Sequence, residues 1–493
     1  MKKYKLLILT IFITKLLIAQ VVSQQAPAAT VNIPDANFKT YLVDNTSINT
    51  NGDNEIQVSE ANSYTDNISI ASMDISDLTG IEAFIKVRRI YCNNNKISSL
   101  NLSSNTNLEV LYCYKNNLSS LDVSNSTNLR NLYCQNNVLG SLNLEGNPNL
   151  KYLKCGYNNL TSLNLKNNTS LESLNCSVNK PLTSLDLTQN LKLKTADCNN
   201  NSISNLLISP SLTRLSCFNN KLSSLDVSQA IQLKSFQCFQ NNLTNLDISS
   251  NTQLTFLNCQ NNKLTSLEVV NNKELTGLNF SYNNIQDVDV TQNTKLTRLY
   301  SSYNPLNSID VTQNILLEKL SLTNLAISNL DVSRNSLLIQ LQCRNNRNLT
   351  AIDLNNGNNS NMKISTQYES NFTNIPNLTD VCVDALNSSL TDYITSQTGH
   401  SVNYTTACNA SLSVNKSTSL TFSAYPNPTK GILMLDTGLI DTHYSISDIL
   451  GHVLKKDIVK TNTTIDISTF KNGIYYLSLT KDNNTLVKTI IKK

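Results

Sequence analysis

Short apolar pairs recur along most of the chain at a fixed spacing. Leu108–Asn128 shows the unit as LEVLYCYKNNLSSLDVSNSTN, with the pattern L-x-x-L-x-C-x-x-N-x-L followed by x-x-L-D-V-S. A helix would need an apolar stripe of period 3.6, and none is sustained. The x-L-x-C-x and x-L-x-V-x units alternate like brief strands instead, which predicts Leu111 and Cys113 facing inward. Cysteine carries the register. Cys92, Cys113, Cys134, Cys155, Cys176, Cys198, Cys217, Cys238 and Cys259 lie 19 to 22 residues apart, and steps of 21 continue the column through Phe280, Ser301, Leu322 and Cys343. Thirteen coils share this register. One coil cannot bury its own apolar edge, whereas a stack builds a continuous core. At about 4.8 Å per strand the stack is roughly 60 Å long. The second half of each unit, as in Leu121, Asp122 and Val123, is a candidate for a second ladder.

Three residues after the column stands Asn in twelve of the thirteen coils, from Asn95 to Asn346, with Leu325 the exception. A buried turn strands backbone N–H and C=O groups. An Asn amide bonds both kinds, so this column is expected to stitch adjacent coils and to take no part in catalysis. Together these positions resemble the leucine-rich-repeat family, in its bacterial 21-residue class with nested units of ten and eleven, from about Leu78 to Leu354. The resemblance implies a β-rich, right-handed solenoid of about thirteen repeats with a parallel sheet on one face. It also implies protein or ligand recognition on the exposed strand face.

Charged residues make up 15% of the 493, and the net charge is +4 with no long block of one sign. A nucleic-acid footprint needs clustered Lys and Arg, so no such partner is expected. Lys2, Lys3 and Lys5 precede an apolar run from Leu6 to Ala19 that Lys15 interrupts. This reads as a cleaved export signal over residues 1–23; a membrane anchor is the rival, but the run is short and broken for a span. No other segment is apolar enough to cross a membrane. The mature chain is therefore expected to lack a span and to work where disulfides persist. The remaining plan is a helical cap at 24–77, the solenoid at 78–360, a second cap at 361–408, a Ser/Thr/Asn-rich linker at 409–422 and a final domain at 423–493.

Inside the first cap, Asn49–Glu60 reads NTNGDNEIQVSE and resembles an EF-hand calcium loop. The resemblance implies oxygen ligands from Asn49, Asn51, Asp53, the Glu55 carbonyl and Glu60, because calcium takes six or more oxygens. Asn49 stands where Asp is usual, and Asn54 replaces the turn glycine. The other reading is a polar turn between helices at 35–43 and 59–63. Either way the first coil needs its edge covered. Beyond the repeats, Cys382 and Cys408 leave the register and flank a short segment, so a disulfide is expected in an exported chain.

The last segment carries YPNPTKG from Tyr425, YSISDILG from Tyr444, IDIS from Ile465 and NGIYYLSL from Asn472. Apolar alternation between turn signals predicts a small antiparallel β-sandwich. These blocks resemble the type A C-terminal sorting domain of the type IX secretion pathway. The resemblance implies an Ig-like sandwich, handling by that machinery through residues 423–493, passage across the outer membrane, and removal of the domain. The mature product would be secreted or held at the cell surface through lipopolysaccharide.

Three columns offer candidate chemistry. The cysteines could suggest a metal, but metal ligands converge on one point and a column gives parallel side chains. Side-by-side Cβ vectors also disfavour disulfides, and Phe280 and Leu322 share the column, so buried free thiols acting as small hydrophobes are expected. Asp226, Asp247, Glu268, Asp289, Asp310, Asp331 and Asp353 form an outward acidic column. It either binds cations or, as we favour, has each carboxylate bonding the turn two residues on. Tyr91, Tyr112 and Tyr133 occupy one outward site on three consecutive coils, beside Tyr114 and Tyr152; Phe218 and Phe239 form a second pair, with Phe256 nearby. Exposed aromatics mark recognition surfaces, although stacking could merely stabilise the sheet. The neighbouring rungs are polar, which favours recognition of an extracellular protein or glycan. The alternative is a structural display or adhesive matrix protein without a defined ligand. No His lies in the repeats and no nucleophile sits in a catalytic motif, so no enzyme is expected.

Overall fold

The computed structural model describes residues 29–364, 369–408, 422–436, 442–460, 463–481 and 484–493. The expected export segment, 1–23, and residues 409–421 of the expected linker lie outside them. The chain divides into two compact units, 1–158 and 159–493.

The first unit opens with the two expected helices, α1 (Ala36–Val43) and α2 (Val58–Ser63). Asp35 caps α1 by accepting from the N–H groups of Asn37 and Phe38. Its second oxygen accepts from Ser76 N, Ser76 Oγ and Asp77 N, which ties the helix to the start of the repeats. Gln57 and Glu60 form a capping box on α2. At Gly80, with φ 102°, a Cβ would meet the Asn32 carbonyl at 2.8 Å, so the cap closes tightly there. Next come parallel strands Ile68–Ser69, Arg89–Tyr91, Val110–Tyr112, Asn131–Tyr133 and Tyr152–Lys154. Each three-residue strand buries its middle residue: Ile90, Leu111, Leu132 and Leu153 sit in the core and their neighbours face out. That alternation is the pleat acting on an x-L-x triplet.

The second unit continues the pattern with nine parallel strands from Ser173–Asn175 to Gln340–Gln342. The expected second ladder forms in only two places among the described residues. One pairs Ser184–Asp186 with Asn205–Leu207, and the other joins Asn329–Asp331, Ala351–Asp353, Asp380–Cys382 and Asn403–Thr405. At most other coils the second half is buried without being a strand, as at Leu246 and Ile248. There a second asparagine column takes over the carbonyls. Asn272 Nδ2 donates to Ile248 O at 3.0 Å and to Asn251 O at 2.9 Å, and Asn293, Asn314 and Asn335 repeat the arrangement.

The carboxyl-terminal cap contributes α3 (Ser389–Thr398), begun by Ser388 and ended at Gly399, with φ 72°. Cys382 and Cys408 are disulfide-bonded across it. The final domain has two antiparallel sheets. Ser423–Tyr425, Ile432–Asp436 and Thr463–Asp466 form one; Val453–Ile458, His443–Ser447, Gly473–Lys481 and Asn484–Lys492 form the other. Leu433, Ile446, Ile465, Leu477 and Ile490 are fully buried between them. No helix among the described residues is long and apolar enough to cross a membrane.

Candidate functional site

The strand register places Tyr91, Tyr112, Tyr133 and Lys154 in one outward row of the first unit. Tyr91 and Tyr112 meet edge to face at 5.1 Å between ring centres, while Tyr112 and Tyr133 stack at 4.4 Å with planes 2° apart. Lys154 Nζ lies 4.5 Å from the centre of the Tyr133 ring. The row is thus three phenols ending in an ammonium, a cation–π arrangement at a half-exposed face. Tyr114 tilts against Tyr112 at 6.5 Å. Tyr152 lies in the neighbouring row, after Arg89, Val110 and Asn131, and is 38% exposed. Sequence reading located the tyrosines but passed over Lys154; its position one coil after Tyr133 in the same column was the available signal.

Phe218 and Phe239 belong to the second unit, where they stack at 4.2 Å. They occupy the position after the cysteine, the site that Tyr114 takes in its own coil. Phe256 lies in a different row, after Arg214 and Ser235, and sits over Gly277, where a Cβ would approach the Phe256 ring to 2.9 Å. Gly277 therefore makes room for an aromatic face in the middle of a sheet.

A further aromatic pair escaped the sequence reading. Every coil turns its corner through a residue of positive φ two places after the cysteine column, as at Asn94, Asn136, Asn219 and Asn261. Asn tolerates this conformation; other L-residues lose about 1–2 kcal/mol in it. Tyr282 and Tyr303 hold two consecutive corners at φ 58° and 57°. They stack at 4.2 Å with planes 11° apart, and Tyr282 is 46% exposed. Stacking returns about 0.5–1.5 kcal/mol for the pair, less than the two strained corners lose relative to Asn.

The cysteine column is buried at ten positions, and none of these ten thiols forms a disulfide. Burial pushes Cys92, Cys134 and Cys259 up to about 12, so these thiols carry little thiolate at neutral pH. The asparagines beside them use both ends of the amide. Asn241 Nδ2 donates to Cys217 O and Cys238 O, and its Oδ1 accepts from Leu222 N at 3.1 Å.

The acidic carboxylates bond their own turns: Ser228 N, Ser249 N, Thr291 N, Thr312 N and Ser333 N each donate to the Asp two residues earlier. Two members also meet the final domain. Asp247 accepts from Asn427 N at 3.0 Å, and Glu268 pairs with Lys488. Among the described residues one gathering has metal-like spacing, Asp353 with Cys382 and Cys408. Its two sulfurs are bonded to each other and so offer no thiolate.

In the Asn49–Glu60 loop, Glu60 Oε1 accepts from Thr50 N, Thr50 Oγ1 and Asn51 N, and its Oε2 from Gln57 N. Asn49 Oδ1 accepts from Gly52 N, Asn51 Oδ1 from Asp53 N, and Asp53 Oδ1 from Glu55 N. The Glu55 carboxylate points elsewhere, to Lys39 at 2.6 Å.

This architecture is that of a leucine-rich-repeat solenoid. The chain is similar in structure to the functional domain of InlJ from Listeria monocytogenes, which includes a cysteine ladder; the TM-score is 0.51 at 24% identity, covering 93% of this chain and 96% of that one. It is also similar to a chain of the Toll–Spatzle complex, a molecular hub in Drosophila development and innate immunity, at TM-score 0.51 and 18% identity, covering 63% of this chain and 47% of that one. Both likenesses concern the fold alone. No curated protein matches the sequence. Residues 423–493 match the family of secretion system C-terminal sorting domains. The tail is thus a type IX sorting domain, which marks a protein for secretion or attachment at the cell surface.

Proposed function

We propose that this protein is a surface recognition module that binds an extracellular protein or glycan through its strand face. The observation that carries the reading is the row Tyr91–Tyr112–Tyr133–Lys154, an aromatic platform ending in a cation on a sheet whose other outward positions are mostly small or polar. Tyr gives large contact area at low entropic loss, and a row of one per coil presents it to an extended ligand. Tyr114, Tyr152, Phe218 and Phe239 are secondary contact points on that reading. Residues 423–493 engage the type IX machinery and deliver the module. Catalysis has no support: the thiols are locked in the core, and the carboxylates are bonded to their own turns.

The test is a binding screen of the full chain on glycan and surface-protein arrays beside a Tyr91→Ala/Tyr112→Ala/Tyr133→Ala variant. A saturable hit lost in the variant is expected. A folded protein with no hit would favour a matrix or display role, with the aromatic row serving as sheet packing. We also read the Asn49–Glu60 loop as a turn closed by its own hydrogen bonds, with calcium at most an addition. The side-chain oxygens of Asn49, Asn51, Asp53 and Glu60 that calcium would use already accept N–H groups.

A further inference from the structure

We infer that the corner of the solenoid beginning at Tyr282 and Tyr303 is a second binding site, built for an acidic oligosaccharide. The inference rests on the reading of the chain as a surface-binding module but uses a different edge of the coils. The corner column runs Tyr282, Tyr303, Asn324 and Asn345, and Asn374 joins it by donating from Nδ2 to Asn345 Oδ1 at 3.0 Å. An aromatic stack therefore passes directly into a row of amides, one group per coil. Tyr303 and Asn324 line one open groove of about 360 Å³, and Asn324, Asn345, Asn348 and Asn374 line the next, of about 450 Å³. These volumes lie in the range of small-ligand sites.

The chemistry of the lining selects the ligand. Amides donate to and accept from hydroxyls, which suits a polyol. The face of Tyr303 offers a platform for the C–H face of a pyranose ring. Arg347 lines the larger groove, Arg344 lies within electrostatic reach of Tyr282, and no Asp or Glu lines either groove. Neither arginine makes an ion pair among the described residues. A planar guanidinium without a partner beside a polyol-binding groove points to a carboxylate on the sugar. The coil spacing of about 4.8 Å repeats these groups at an interval comparable to one sugar unit, so a linear uronate chain can lie along the column.

Folding does not explain the two tyrosines. Their corners are strained, and elsewhere the same corner is filled most often by Asn, which the conformation suits. A strained side chain kept exposed and stacked is a mark of a functional position. This gives the test an unusual sign, because the variant that should abolish binding should not harm the fold.

The experiment is calorimetric titration of the full chain with oligogalacturonate, oligomannuronate and oligoglucuronate, each beside its methyl ester. Variants are Tyr282→Asn/Tyr303→Asn, Arg347→Gln and the Tyr91/Tyr112/Tyr133 triple alanine. At least one uronate is expected to bind, and esterification or Arg347→Gln to weaken it by about tenfold or more. Tyr282→Asn/Tyr303→Asn should lose binding with an unchanged or raised Tm, while the triple alanine binds as before. Absence of binding by all three uronates would overturn the inference. So would equal affinity for the esters, or unchanged binding by the Tyr282→Asn/Tyr303→Asn variant. Loss in the triple alanine alone would overturn this site and leave the strand-face reading standing.

Discussion

The two asparagine columns run through the same coils and use the amide differently. Beside the cysteines, Asn241, Asn262 and Asn283 donate to two carbonyls and also accept a backbone N–H from the preceding coil. In the second column, Asn251, Asn272, Asn293, Asn314 and Asn335 donate to two carbonyls, and their Oδ1 atoms have no partner in the described structure. The first column holds both sides of a turn, whereas the second ties down only carbonyls. The sequence reflects this. Ser126, Ser209 and Ala230 replace Asn in the second column, and Ser209 Oγ donates to Asn190 O at 2.8 Å in place of an amide. The column that only donates carries hydroxyls at Ser126 and Ser209 and a methyl at Ala230, whereas the column that does both keeps its amide in every coil except at Leu325. The first cap stitches turns by a third means, with carboxylates, which makes it sensitive to pH.

The largest expected effect is from Asn241→Ala. It removes three buried hydrogen bonds and leaves the Leu222 N–H without its acceptor, while Cys217 O and Cys238 O keep the amides of Asn220 and Asn262, so the loss should reach about 3 kcal/mol in denaturant unfolding. Asn272→Ala should lose less, about 2 kcal/mol, and Asn272→Ser less again. Equal losses at the two positions would break the distinction between the columns. Next in size is a pH effect centred on the cap. Burial alone would raise the Glu60 carboxyl, but hydrogen bonds from Gln57, Thr50 and Asn51 outweigh it and hold the group below its ordinary value. The Glu55 N–H does the same for Asp53. A depressed carboxyl contributes stability that is complete above its unfolded value, near about 4, and is lost as pH falls through the folded one. Amide protection of residues 36–63 should therefore weaken below about pH 4, and more than that of the coils, where Asp122 and Asp226 are depressed by the bonds to their own turns but the asparagine amides do not titrate. Hydrogen exchange against pH reads both.

Smaller still is the expected reactivity of the cysteine column. With thiols raised by burial, alkylating reagents should leave Cys92, Cys134 and Cys259 unmodified until the coils unfold; labelling of the native protein would show that the column opens. The smallest effect is calcium, which should leave the unfolding temperature of the cap where it was. A clear rise would show that the loop exchanges its N–H donors for a cation.

Much of this was legible in the residues. A 21-residue period with Leu two places before Cys defines which side chain faces in, because a triplet strand has one inward position. The Asn beside each Cys was legible as a column, and two of the bonds it makes, as at Asn241, reach the preceding coil. The second column was legible in principle, thirteen residues after the cysteine from Asn105 onward, yet its spacing looks like loop composition until the carbonyls it serves are in place. Three matters belonged to the tertiary structure alone. One is where the second half-coil pairs as strands, from Ser184–Asp186 to Asn205–Leu207 and again from Asn329–Asp331 onward. The meeting of Tyr282 and Tyr303 depends on a left-handed corner that a tyrosine codon does not announce. That Lys154 covers Tyr133 and Phe256 covers Gly277 follows from rotamers chosen against the next coil. Sequence period sets what lies within one coil; contacts between coils exist only once they are stacked.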